Sequence, residues 1–216
     1  MTVKEFIRQN WNLPNALTVI RLLLVPVYVV LFALGKKYPA LICFLTACLT
    51  DFLDGRIARR FNLITDFGKL MDPLADKIMV LTAMLSMAIG NTPAGIPPVI
   101  PWVAVAILLS KEGVMVVGGI AMYKHGIVVY SSMIGKVAHN VFIIGLVAVY
   151  FHDALRIALP DWFLTPDLVL IWLAVALTLC ALVFYVTSSI RQAIDLGIIK
   201  TNADKTKERR PRGGVE

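Results

Sequence analysis

Charge is scarce in this sequence. Asp, Glu, Lys and Arg make up 16% of its 216 residues, where a soluble domain carries about 25%. Hydrophobic residues reach 58% and the mean hydropathy is +0.78. That balance excludes an ordinary water-soluble domain and implies an integral membrane protein, long enough for one domain of about six helices. Cysteine is equally sparse. Cys43, Cys48 and Cys180 stand inside apolar runs, with no C-x-x-C and no Cys/His cluster, so neither a disulfide nor a zinc site is implied. No internal repeat is evident, and the polar, amphipathic N-terminus is not a signal peptide. Nucleic-acid binding is not expected either. The basic stretch 200–212 holds six Lys or Arg against two acids, but no fold or aromatic pattern accompanies it. It reads as a cytoplasmic tail, and one able to hold anionic lipid head groups.

What is present in quantity is apolar sequence cut by Gly and Pro. Residues 2–11 pair Phe6, Ile7 and Trp11 with Lys4, Glu5 and Arg8, predicting a short helix lying on the membrane surface. Six apolar segments follow, at roughly 15–34, 38–60, 66–89, 98–122, 127–151 and 167–190. The expectation is an all-α polytopic membrane protein: an interfacial amphipathic helix over 1–14, six transmembrane helices over 15–192 and a basic tail over 193–216. Lys and Arg set its orientation. The N-terminus, the second and fourth loops and the C-terminal segment carry 13 of them, while the opposite loops carry three, Lys36, Lys37 and Arg156. Both termini are therefore expected in the cytoplasm.

Against this background four carboxylates stand out: Asp51, Asp54, Asp72 and Asp76. Each ionised carboxylate near hydrocarbon costs about 2.5–3.5 kcal/mol on insertion scales. Four in adjacent segments need something to bind, and divalent cations neutralise them most cheaply. On a helix turning about 100° per residue, Asp54, Gly55, Ala58 and Arg59 all fall within about 80° of Asp51. Gly68, Asp72 and Asp76, spaced by four, form a second stripe. Hard oxygen ligands select Mg²⁺, Mn²⁺ or Ca²⁺, and paired metals serve displacement at phosphorus. Gly55, Ala58 and Gly68 leave room for a bulky ligand, and Arg59 offers a planar fork to phosphate oxygens. The ensemble suggests a pyrophosphate site at the cytoplasmic ends of the second and third helices.

Other readings of the same residues stay open. Membrane carboxylates also serve proton relays and ion pathways, and these could pair internally with Arg59, Lys69 and Lys77. A non-enzymatic cation transporter is the outside alternative. Five basic residues lie within the helices, Arg21, Lys69, Lys77, Lys111 and Lys136. Each is a functional candidate, or a side chain that snorkels from a helix end.

The run Asp51-x2-Asp54-Gly55-x2-Ala58-Arg59-x8-Gly68-x3-Asp72-x3-Asp76 resembles the CDP-alcohol phosphotransferase signature at every fixed position. Asn12 to Arg21 with Pro26, Asp72 to Lys77, and Ile134-Gly135-Lys136 are similar to its bacterial phosphatidylglycerophosphate synthase branch. The resemblance covers roughly residues 10–192. It implies transfer of a phosphatidyl group from CDP-diacylglycerol to glycerol 3-phosphate, with release of CMP. It further implies two divalent cations, Mg²⁺ or Mn²⁺, on Asp51, Asp54, Asp72 and Asp76, with Asp76 also the general base. Asn15, Thr18, Gly55, Arg59, Thr65 and Gly68 would contact the CDP moiety, and Ser132, Lys136, Lys111 and Arg191 the acceptor. A homodimer in a bacterial cell membrane, with membrane lipid around it, follows from the same resemblance. Two departures bear on the acceptor: Lys111-Glu112 where the branch has Arg-Glu, and Val137-Ala138-His139-Asn140 where a second Lys and a Gln are common. Phosphatidylglycerol (giving cardiolipin), inositol phosphate and serine stay open as acceptors.

Overall fold

A computed structural model describes residues 13–61, 66–124, 133–159 and 163–195. Within them the chain is helical: α1 (Leu13–Ala33), α2 (Lys37–Phe61), α3 (Asp66–Ile89), α4 (Trp102–Lys124), α5 (Met133–Val149), α6 (His152–Ala158) and α7 (Pro166–Asp195). Apart from these, the described residues hold one 3₁₀ turn, Thr92–Ala94, and one isolated antiparallel bridge, Asn91 with Ile96. The expected interfacial helix at 2–11 and most of the basic tail lie outside the described residues.

Three helices, Asn15–Ala33 of α1, Trp102–Ile120 of α4 and Pro166–Gln192 of α7, are long and apolar enough to cross a membrane; α5 with α6, bent by 74°, makes a fourth candidate. The protein therefore fits an integral membrane protein. α2 and α3 are long enough, at 25 and 24 residues, but each is apolar over only part of its length. Asp51, Asp54, Arg56, Arg59 and Arg60 crowd the C-terminal end of α2, and Asp66, Lys69, Asp72, Asp76 and Lys77 the N-terminal end of α3. These charges of both signs are what lower their hydropathy.

The chain divides into two units, Met1–Val105 with Ile143–Ile171, and Ala106–Phe142 with Trp172–Glu216. In the first, α1, α2 and α3 pack on one another. α2 buries Ala40, Phe44 and Ala47, and α3 buries Ala75, Met79, Ala83 and Met87. These recur every three or four residues, the spacing of one helical face. The alanines let the helix axes approach closely, which drives association where lipid removes the hydrophobic effect. α1 buries Tyr28 and Phe32 and turns Leu23, Val27 and Val30 outward. The Tyr28 and Tyr150 hydroxyls, both fully buried, share a 2.6 Å hydrogen bond.

The turn after α1 fixes how α2 returns. Gly35 has φ +73°, its N–H donates to Phe32 O and the Lys36 N–H donates to Leu31 O. This pattern closes a helix on a left-handed glycine. The Asn91 side chain completes the end, its Nδ2 donating to Phe32 O at 3.0 Å and Ala33 O at 2.9 Å. These carbonyls belong to the last turn of α1, where intrahelical donors run out.

One segment departs from expectation. The stretch from Asp153 to Pro166 was expected as a break, yet it begins with the helix α6. The cause is local pairing: His152 Nδ1 lies 2.8 Å from Asp167 Oδ2 at the start of α7, and Lys37 Nζ donates to Asp153 Oδ2 at 2.8 Å. These bonds tie the short helix to α7 and α2, so tertiary contacts hold a turn too short to stand alone.

Candidate active site

The site is built from the polar stripe of α1. Asn15, Thr18 and Arg21 recur every third residue in an otherwise apolar helix and fall on one face. All three are buried: Asn15 is 5% exposed, Thr18 0% and Arg21 1%. The packing of α1 on α2 and α3 carries that stripe to the charged ends of both neighbours.

Two contacts define the geometry. Arg21 Nη1 lies 3.0 Å from Asp51 Oδ1 on α2. Thr18 Oγ1 donates a hydrogen bond to Asp72 Oδ1 on α3. One helix therefore grips a carboxylate from each of the other two. Asp76 lies one helical turn after Asp72 on α3, so the two carboxylates share a face. Asp51, Asp72 and Asp76 are all partly buried and Gly68 is buried. Pro73 lies inside α3; it cannot donate the usual helical hydrogen bond, so the ladder lacks the bond from residue 73 back to residue 69.

α1 thus holds one aspartate from each stripe, Asp51 of α2 and Asp72 of α3. Asp54, Gly55 and Arg59 lie within α2, but their side chains are outside the described ones, and Thr65 and Ser132 lie outside the described residues altogether. Among the described residues, no three of His, Cys, Asp or Glu come together as a metal-binding group. The side chains that α1 does hold present carboxylate oxygens from two packed helices. A guanidinium and a hydroxyl steady them, and no thiolate or imidazole is among them. That chemistry fits a hard divalent cation.

The expected acceptor residues belong to the second unit. Lys136 on α5 and Arg191 on α7 are exposed. Lys111 on α4 forms an ion pair with its neighbour Glu112, so one cation expected at an acceptor phosphate already has a carboxylate partner.

Sequence reasoning noted Arg21 only as a cation within a helix and expected Thr18 at the CDP. It missed that both hold aspartates. The signal was there in the three-residue spacing of Asn15, Thr18 and Arg21, which reads as a polar face turned toward something polar.

Comparisons with known proteins bear on this geometry. The CDP-alcohol phosphatidyltransferase profile matches residues 11–187. A probable phosphatidylglycerophosphate synthase of Mycobacterium tuberculosis is 32% identical over 201 residues, 89% of this chain and 87% of the relative. A CDP-diacylglycerol–glycerol-3-phosphate 3-phosphatidyltransferase of Aquifex aeolicus is 34% identical over 152 residues, 68% of this chain and 82% of the relative. The protein of that name from Rickettsia prowazekii is 49% identical over 84 residues, 36% of this chain; the match spans 46% of the relative's length, less than half of it. The profile covers the buried stripe of α1 and both acidic stripes, and the chain belongs to the CDP-alcohol phosphatidyltransferase family.

Proposed function

We propose that the protein transfers the phosphatidyl group of CDP-diacylglycerol to sn-glycerol 3-phosphate, giving phosphatidylglycerophosphate and CMP. The observation that supports this reading is that α1 holds a carboxylate from each acidic stripe, Asp51 through Arg21 and Asp72 through Thr18. The names of the relatives support the donor and the acceptor.

Asp76 takes the proton of the attacking hydroxyl. The freed oxygen bonds to the lipid-side phosphorus as the bond from that phosphorus to CMP breaks, in line. Asn15, Thr18, Gly55, Arg59, Thr65 and Gly68 line the CDP moiety, with Arg59 giving its fork to phosphate oxygens. Asp51, Asp54, Asp72 and Asp76 would hold two divalent cations, Mg²⁺ or Mn²⁺, which when bound would neutralise the diphosphate and the charge developing on CMP. Lys136, Arg191 and Ser132 hold the phosphate of the acceptor. The Glu112 pairing leaves Lys111 a smaller share of that work.

The membrane reading belongs to the same proposal. α2 and α3 cross together with α1, α4, α7 and the α5–α6 pair, which makes six spans in one domain over 15–192. The chain's first 14 residues lie along the interface, the basic tail from 193 stays in the cytoplasm with the active site, and two copies form a homodimer in a bacterial membrane.

An acceptor panel tests the function. Purified protein in lipid nanodiscs receives radiolabelled CDP-diacylglycerol with glycerol 3-phosphate, phosphatidylglycerol, inositol phosphate or serine. CMP release that depends on glycerol 3-phosphate is the expected result. Release with another acceptor alone reassigns the acceptor, and metal flux without CMP release replaces the enzyme by a transporter.

A further inference from the structure

Arg21 is 1% exposed on a helix whose outer side carries Val19, Ile20 and Leu23. Burying a guanidinium costs several kcal/mol unless a well-placed partner offsets it. The partner is Asp51, 3.0 Å away, and Asp51 is itself the first carboxylate of the proposed phosphatidyl-transfer site. Two roles are physically open to such a cation. It could neutralise Asp51, and then it competes with any divalent cation for the same oxygens. Or it could fix the plane of the carboxylate, and then it helps a cation to bind.

The geometry favours the second role. Arg21 approaches from α1, not from α2 or α3, and places Nη1 3.0 Å from Oδ1 as a charge contact outside hydrogen-bond geometry. A fixed positive charge beside one oxygen of a carboxylate draws that oxygen toward it and biases the other to point away. A guanidinium is planar, rigid and permanently charged, so it sets an orientation that an ammonium does not. Three residues earlier on the same stripe, Thr18 holds Asp72 of α3. α1 therefore sets the spacing of two carboxylates that belong to different helices. Partners of this kind, standing behind the groups that ligate a metal, typically carry 10–100-fold in metal affinity (roughly).

We infer that Arg21 is a positioning residue: from α1 it orients the Asp51 carboxylate for divalent-cation binding. This rests on the proposed function, and the test separates the two. Full-length protein in nanodiscs is titrated with Mn²⁺, and free Mn²⁺ is followed by electron paramagnetic resonance with no substrate present. Arg21→Met is expected to weaken Mn²⁺ binding about 10–100-fold. Arg21→Lys keeps the charge without the fork and is expected to fall between the two. In an Asp51→Asn background, Arg21→Met is expected to add little, because the carboxylate it acts through is gone. Should Arg21→Met fail to fold, Arg21→Lys and Arg21→Gln carry the test with the same sign. Unchanged or tighter Mn²⁺ binding in the folded variants overturns the inference and leaves the proposed function standing. Wild-type protein that binds no Mn²⁺ overturns both the inference and the metal chemistry of the proposed function.

Discussion

Thr18 and Asp72 are 54 residues apart in the chain and joined by one hydrogen bond, from Thr18 Oγ1 on α1 to Asp72 Oδ1 on α3. Thr18 is fully buried and stands beside an acidic stripe, so losing its hydroxyl takes a donor from the Asp72 carboxylate. Thr18→Val keeps the shape and removes the donor. A hydrogen bond to a charged group is worth about 1.5–3 kcal/mol. CMP release by Thr18→Val is therefore expected to fall about 10–100-fold, measured as steady-state turnover on CDP-diacylglycerol.

Asp76→Asn removes a base as well as a ligand. It is expected to abolish turnover, by at least the roughly 10²–10⁴-fold that general-base catalysis contributes. Binding of CDP-diacylglycerol should largely survive, as followed by equilibrium binding of a labelled analogue. Near-normal CMP release would remove Asp76 from that role.

Lys136 separates the two substrates. It is exposed on α5, whereas the carboxylates sit on α2 and α3. Lys136→Ala is expected to raise the apparent KM for glycerol 3-phosphate about tenfold or more, the loss of one charge-assisted contact, with little change in KM for CDP-diacylglycerol. Equal effects on both substrates would take Lys136 out of the acceptor site.

Gly35→Ala tests the frame that carries the site. The left-handed φ of +73° disfavours any side chain, and a Cβ there would lie 2.6 Å from the Ala94 Cβ. Both effects act in the same direction, because backbone strain and steric overlap each destabilise the native turn. The expected loss is about 1–3 kcal/mol, read as a lowered Tm in detergent. An unchanged Tm would mean that the α1–α2 turn relaxes freely.

Much of this fold is legible in the chain because lipid imposes a coarse grammar. Long apolar runs predict α1, α4 and α7, and Gly35 and Gly90 mark ends that the structure confirms with positive φ. The acidic stripes of α2 and α3 follow from helical spacings of three and four residues alone. Three features were not legible, two because they depend on which helix packs on which and the third, at Lys111, because adjacent opposite charges on a helix need not pair. The Arg21–Asp51 pair spans 30 residues, so nothing local to Arg21 names its partner. α6 forms in a stretch that reads as a break, because Lys37 and Asp167 bind it from elsewhere in the chain. Lys111 reads as a free cation until Glu112 is seen to pair with it.

The central claim is that the aspartates of α2 and α3 form one cation-dependent site for phosphatidyl transfer. The most direct measurement is CMP release from CDP-diacylglycerol and glycerol 3-phosphate by purified protein after exhaustive chelation, and again after Mg²⁺ or Mn²⁺ is restored. Activity that vanishes with chelation and returns with the cation is the predicted result. Protein that remains fully active after chelation would contradict it.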